Sequence, residues 1–222
     1  MSVITISRQL GSGGDDIARQ VAASLGYDFV DKQTTDAIFR QYGLTRFDEL
    51  YGSVPSFLDL LNADNLLLVA MANEILEAVA QRGRVVTLGR AGFAVLAGLA
   101  DVLHVRIQAP FADRAQRVME REKLANLDLA AERVKQDDDV HSKYIHRFYN
   151  KQWDDPASFD LVLDTGELST GAAVQQIVAA ARDLGQKAPP ADARTTRSLQ
   201  VDPVLADAVA QAVVSRGPEV PA

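Results

Sequence analysis

Short apolar runs alternate with stretches of helical spacing along this 222-residue chain. Five runs, Val3 to Ile6, Asp28 to Val30, Val85 to Leu88, Val102 to Ile107 and Asp160 to Leu163, are rich in β-branched or apolar residues and predict buried parallel strands. After the first of them Ile17, Val21 and Leu25 share one helical face, and Gly26 supplies a stop. Leu60, Leu61, Leu67, Leu68, Met71, Ile75, Leu76 and Val79 predict a long buried helix over Phe57 to Gln81, ended by Gly83. Phe111 to Leu124 reads as a polar, arginine-rich helix. Leu129 to about Tyr149 reads as another with a strongly charged face, and Ala172 to Leu184 as the last helix of the core.

Strands that alternate with helices imply crossover connections and a parallel sheet covered on both faces, an α/β three-layer fold. Ligands of such sheets bind at the carboxyl ends of the strands. The length and mass, 24.0 kDa, fit one such domain over residues 1–185. After Gly185 the sequence turns linker-like through Pro189-Pro190 and Thr195-Thr196, so 186–222 is expected to be a linker and tail, with one short amphipathic helix over Asp202 to Val214.

Thirty acidic residues against 23 basic ones give a net charge of −7, which repels a nucleic-acid backbone or an anionic membrane surface. A phosphate ligand therefore requires a local basic pocket. The absence of cysteine removes disulfides, thiolate catalysis and cysteine-ligated metals. Leu66 to Ala72, the longest apolar run, falls far short of the roughly 20 residues a bilayer needs. With no secretory pattern at the N-terminus, the expected location is the cytoplasm.

The first strand leads into Ser7-Arg8-Gln9-Leu10-Gly11-Ser12-Gly13-Gly14-Asp15-Asp16, with a helix starting at about Gly14. Glycines let a backbone approach a ligand closely, and a helix N-terminus carries partial positive charge, so phosphate binding is one reading. The other is a tight turn whose Asp15 and Asp16 stabilise the helix dipole. The loop departs from G-x-x-x-x-G-K-[ST]: aligned on Gly13, the first glycine becomes Arg8, the lysine Gly14 and the hydroxyl Asp15. Arg8 is a candidate for the missing cation, and Asp15 for a magnesium ligand.

Further words follow in order: Phe29-Val30-Asp31-Lys32, Thr87-Leu88-Gly89-Arg90, Gln108-Ala109-Pro110 with Asp113-Arg114 and Arg117, and Trp153-x-Asp155-Pro156 leading into Asp160 to Thr165. Together with the loop they resemble the cytidylate kinase-like family, a divergent branch of the P-loop nucleoside monophosphate kinases, over about residues 1–185. The lysine-less loop is a trait of that branch. Asp15 is not, since a basic residue is common there.

The resemblance implies a P-loop nucleoside-kinase-like fold with a helical lid at about 111–150. It implies ATP and Mg2+ as cofactors and a small nucleotide as substrate, with CMP the acceptor by family. Gly11, Ser12, Gly13 and Gly14 would cradle the donor phosphates beside Asp15, and Arg8 would act as the catalytic cation. Asp31, Arg40 and Arg90 would bind the acceptor. Arg114, Arg117 and Arg147 would be catalytic lid residues, with Arg121, Arg133 and Lys143 as further lid candidates. Arg114, Arg117 and Arg121 share a helical face, which reads either as a cationic stripe or as a solvated one.

Asp137-Asp138-Asp139 points in different directions on a helix, and His141 and His146 miss the i, i+4 spacing of paired ligands, so no zinc site is expected. Tyr144, Phe148 and Trp153 are read as lid packing and His104 as a core histidine. Two rival functions remain: a non-catalytic nucleotide-binding regulatory module, suggested by Asp15 and Asp16, and a kinase of another small metabolite, permitted by the insertion around Gly43 to Pro55. A homo-oligomer is compatible with either.

Overall fold

The computed structural model of the chain describes residues 2–41 and 62–214. The start of the long helix predicted from Phe57 and the insertion at Gly43 to Pro55 lie outside those residues. Five strands, β1 (Val3–Arg8), β2 (Asp28–Val30), β3 (Val85–Leu88), β4 (Val102–Gln108) and β5 (Leu161–Asp164), form one sheet in the order β2-β3-β1-β4-β5. All four pairings are parallel, with Ile4 in register with Val86 on one side and Leu103 on the other. The α/β expectation holds, and β1, the strand that feeds the glycine loop, sits at the centre.

Alternation along the strands sends neighbouring residues to opposite faces, and each face has its own helices. Ile4, Ile6, Val86, Val105 and Ile107 pack on α1 (Gly14–Leu25) and, near the C-terminus, on α7 (Thr170–Gln186) through Ile17, Val21, Ala173 and Ile177. Val3, Val85 and Val102 join the other core, which takes in α2 (Lys32–Gln41), α3 (Ala63–Arg82), α4 (Gly92–Val95) and α6 (Leu127–Tyr149). Between β4 and α6 runs α5 (Phe111–Glu122), whose Val118 meets Ala130 and Val134 of α6 in a small third cluster.

Helix α6 starts at Leu127 rather than Leu129 because Asn126 caps it, its side chain accepting from the Leu129 N–H. Helix α2 gave no clear apolar run. It is set by Asp31, whose Oδ1 accepts from the Thr34 N–H and Oγ1 at 3.1 and 3.2 Å, and by the burial of Ile38 and Phe39.

The segment after Gly185 is tied down in spite of its composition. Thr196 donates its N–H and Oγ1 to Asp101, Ala100 donates to the Arg194 carbonyl, and Gln81 donates to the Leu199 carbonyl. The chain ends in α8 (Pro203–Val214), which adds Leu205, Val209, Ala212 and Val213 to the core beside α3. No helix among the described residues is long and apolar enough to cross a membrane.

Candidate functional site: a glycine loop and a basic cavity

The loop between β1 and α1 turns twice through left-handed backbone, at Gly11 with φ 83° and Gly13 with φ 74°. Space also demands glycine. A Cβ on Gly11 would stand 2.6 Å from the carbonyl oxygen of Arg114, and one on Gly14 would stand 2.5 Å from Cβ of Arg8. The stem of Arg8 thus lies over Gly14, the position where a Walker lysine would begin. Gly13 caps α1 without a side-chain hydrogen bond, so the first N–H groups of the helix have no side-chain acceptor.

The carbonyls of the loop are drawn the other way. Thr165, just past β5, donates its hydroxyl to the Ser12 carbonyl at 2.8 Å. Arg117 donates to the Gly11 carbonyl at 3.3 Å and to both the hydroxyl and the carbonyl of Thr165. Ser12 is fully buried, and its N–H and hydroxyl both donate to the Gln9 carbonyl, so its hydroxyl serves the turn itself.

A cavity of about 440 Å³ opens at the carboxyl ends of β1 and β3. Arg8, Asp15, Asp31 and Arg90 all line it, as do Arg19, Lys32, Arg133, Gln136, Asp137 and His141. Five cationic side chains there face three carboxylates, a local excess of positive charge in an acidic chain. Arg8 Nε and Nη2 both donate to Asp15 Oδ1 at 3.3 Å. Arg90 sits in left-handed backbone at φ 52° after Gly89, is buried, and pairs closely with Asp36 of α2, which Lys32 also approaches at 3.8 Å.

Other residues expected at the site lie elsewhere. Arg40 is exposed and donates to the Asp36 carbonyl on its own helix. Arg114 is buried and grips Asp138 of α6 with both Nη atoms at 3.0 and 2.8 Å, while its Nε donates to the Ala109 carbonyl. Arg117 holds the loop from behind, and Arg147 is half-buried on α6 outside the cavity lining. The three adjacent aspartates fan out to three partners: Asp137 to His141, Asp138 to Arg114 and Asp139 to Lys143.

The site residues that sequence reasoning underused are Asp137 and His141. With Arg133 they recur every four residues, which places all three on one face of α6, and that spacing was available in the sequence. His141 Nδ1 lies 2.8 Å from the Asp137 carbonyl and 3.2 Å from its Oδ2. Burial raises the Asp137 pKa, but the hydrogen bond and charge of His141, with Arg8 and Arg133, outweigh it and hold the carboxyl below its ordinary value. The His141 ring stacks on Trp153 at 5.2 Å, and Trp153 Nε1 donates to Ser7 Oγ at 3.0 Å.

Whether these residues suit a magnesium nucleotide can be judged from the donors. The Gly14 position would be filled by any Cβ, the helix start offers N–H groups, and Arg8 offers a guanidinium. The described residues contain no cluster of three or more acidic or histidine side chains fit to cage a metal alone. Magnesium characteristically uses one or two carboxylates together with substrate phosphates, and Asp15 provides one carboxylate beside the loop.

Residues 3–167 match the cytidylate kinase-like family. A cytidylate kinase of Ignicoccus hospitalis is 28% identical over 177 residues, covering 80% of this chain and 97% of the relative. A cytidylate kinase of Pyrobaculum neutrophilum is 29% identical over 79% of this chain and 90% of its own length. Among solved structures, an uncharacterized protein from Eubacterium ventriosum superposes with a TM-score of 0.65 at 20% identity, covering 82% of this chain and 99% of that one. Shikimate kinase from Bacteroides thetaiotaomicron gives 0.51 at 14% identity, with 82% and 98% covered, a likeness of fold alone. With three quarters of its length in the match and the glycine loop, central strand and basic cavity in their places, the chain belongs to the cytidylate kinase-like family.

Proposed function

We propose that the protein is a cytoplasmic kinase that moves the γ-phosphoryl group of ATP to a nucleoside monophosphate, with CMP as the acceptor. The observation that supports this reading is the Arg8 stem seated over Gly14, with its guanidinium on Asp15 at the start of α1. Asp15 would hold magnesium, which would supply charge neutralisation for the donor phosphates. Phosphoryl transfer needs in-line positioning and charge neutralisation rather than a covalent intermediate.

The chain's own residues divide that work. The first N–H groups of α1 receive donor phosphate oxygens, with Arg8 beside them and Asp15 facing the metal. Arg90, held by Asp36, presents its guanidinium to the acceptor phosphate, and Asp31 and Lys32 line the acceptor side. Arg133 and His141 of α6 bound the cavity from the lid, and Arg117 with Thr165 keeps the loop carbonyls turned away from phosphate.

The Arg8–Asp15 pair supports a second reading, a regulatory module that binds nucleotide without turnover, because the loop's cation is already engaged. A coupled assay with ATP, Mg2+ and a panel of CMP, dCMP, UMP and AMP separates the two. Transfer to CMP ahead of the others is the expected result. Binding of ATP with no transfer to any nucleotide sinks the proposal, and transfer only to a non-nucleotide metabolite reassigns the acceptor.

A further inference from the structure

The acceptor side of the cavity is built on the least self-sufficient part of the sheet. Its strand, β2, has 3 residues and lies at the sheet edge, paired with β3. The helix that follows, α2, has 10 residues, with Thr34 and Thr35 in its first turn and two large apolar side chains, Ile38 and Phe39, buried. A helix of that length is marginal by itself, since roughly 12 to 15 residues are needed even in alanine-rich sequences. Yet α2 follows Asp31, begins with Lys32 in the cavity wall, and carries the Asp36 that holds Arg90.

The packing that α2 lacks in its own sequence comes from the end of the chain. Helix α8 lies against α2, β2 and α3 together, and its Leu205, Val209, Ala212 and Val213 share one core with Val30 of β2 and with Ile38 and Phe39. Val209 is fully buried there. The tail reaches this place by fixed points, Thr196 on Asp101 just before β4 and the Leu199 carbonyl on Gln81 near the end of α3. All of it lies past residue 167, where the family match stops. The donor loop is held from elsewhere: Arg117 and Thr165 grip its carbonyls, and α1 packs on the opposite face of the sheet.

Resting on the acceptor reading above, we infer that the C-terminal tail is a brace for the acceptor site: α8 fixes α2 so that Asp31, Lys32 and the Asp36–Arg90 pair stand in place before the acceptor phosphate arrives. Affinity for a ligand falls in proportion to the fraction of the protein that already has the competent arrangement. Loosening α8 lowers that fraction for the acceptor and leaves the donor loop as it was. Val209 and Leu205 are thus positioning residues, and neither lines the cavity.

Calorimetric titration of the full chain with CMP and, separately, with ATP and Mg2+ tests the brace. In Val209→Ala and Leu205→Ala, which shorten buried side chains of α8, the CMP dissociation constant should rise at least about fivefold, as when the competent fraction drops to about a fifth, while that for ATP stays within about twofold. Val178→Ala makes the same deletion on α7, in the core of the other sheet face, and should lower the melting temperature without changing the CMP constant. A thermal melt verifies that each variant is folded. Folded α8 variants that keep wild-type CMP affinity, or that lose CMP and ATP affinity alike, overturn the brace and leave the kinase reading standing. Wild-type protein that binds ATP but not CMP overturns the acceptor reading, and the brace falls with it.

Discussion

Replacing Arg114 with alanine asks whether an arginine that sequence alone places in a catalytic lid is instead a structural clamp. Its side chain is 4% exposed and its partner Asp138 27%, and the pair is bidentate, joining the start of α5 to the middle of α6. Two further bonds hold the same guanidinium, one to the Ala109 carbonyl just after β4 at 3.1 Å and one to the Leu10 carbonyl of the glycine loop at 3.4 Å. Removing the buried guanidinium leaves a carboxylate that stays partly solvated, and the lost charged hydrogen bonds cost about 3 kcal/mol. For a chain of this size each kcal/mol lowers the melting temperature by about 2 to 4 °C, so Arg114→Ala should lose on the order of 10 °C. Thermal and urea melts of the single variants and of Arg114→Ala with Asp138→Ala form a double-mutant cycle. The expected coupling is about 2 kcal/mol, because the second change removes the stranded carboxylate. Arg121, exposed and paired with its neighbour Glu122, is the control and should shift stability by less than about 0.5 kcal/mol. A loss at Arg114 below about 1 kcal/mol, or strict additivity with Asp138, refutes the clamp.

Other consequences are separately measurable. Gly14→Ala drives a Cβ into Cβ and Cγ of Arg8 at the end of β1, so it should cost about 1 to 3 kcal/mol in the melt and lower ATP affinity at least about tenfold; unchanged affinity in the folded variant would remove Arg8 from the loop's function. Thr165→Val deletes the hydroxyl that links Ser12 and Arg117, and should cost about 1 to 3 kcal/mol in urea unfolding and weaken ATP binding in calorimetry. His104 is held below its ordinary pKa of 6.5 chiefly by burial, against the opposing pull of Asp160. The unfolded chain thus takes the proton first as pH falls. The contribution of His104 is complete above about pH 6.5 and declines below it, and His104→Gln should flatten that acid limb of the melting temperature.

The frame of the fold was legible because its signals are local. Strand runs of β-branched residues and the glycines of the β1–α1 loop are each decided within a few residues, whereas Arg90 takes left-handed backbone without a glycine to announce it. What pairs with what is decided across the fold. The spacing of Arg114, Arg117 and Arg121 shows a stripe, but only the packing of α5 on α6 and on the end of β5 tells that the first meets Asp138 and the second Thr165, while the third pairs with its neighbour Glu122. The tail reads as a linker because prolines and small polar residues dominate it. Its anchoring depends on Asp101, which lies about a hundred residues away and gives no sign in sequence of receiving Thr196. Arg133, Asp137 and His141 were legible as a face of one helix, whereas the ring that orients His141, Trp153, reaches it from beyond the helix end.

Trp153 has an optical consequence. It is the chain's single tryptophan, so all indole emission comes from one place. That place is buried, bonded through Nε1 to Ser7 one residue before Arg8, stacked on His141 of α6, and with the Arg106 guanidinium carbon 4.7 Å from its ring. The fluorescence intensity therefore reports how the His141 ring sits against the indole, and its wavelength reports water reaching the end of β1. The protein carries a native probe where the end of β1 meets α6, and a change at that junction can be followed in real time without a label.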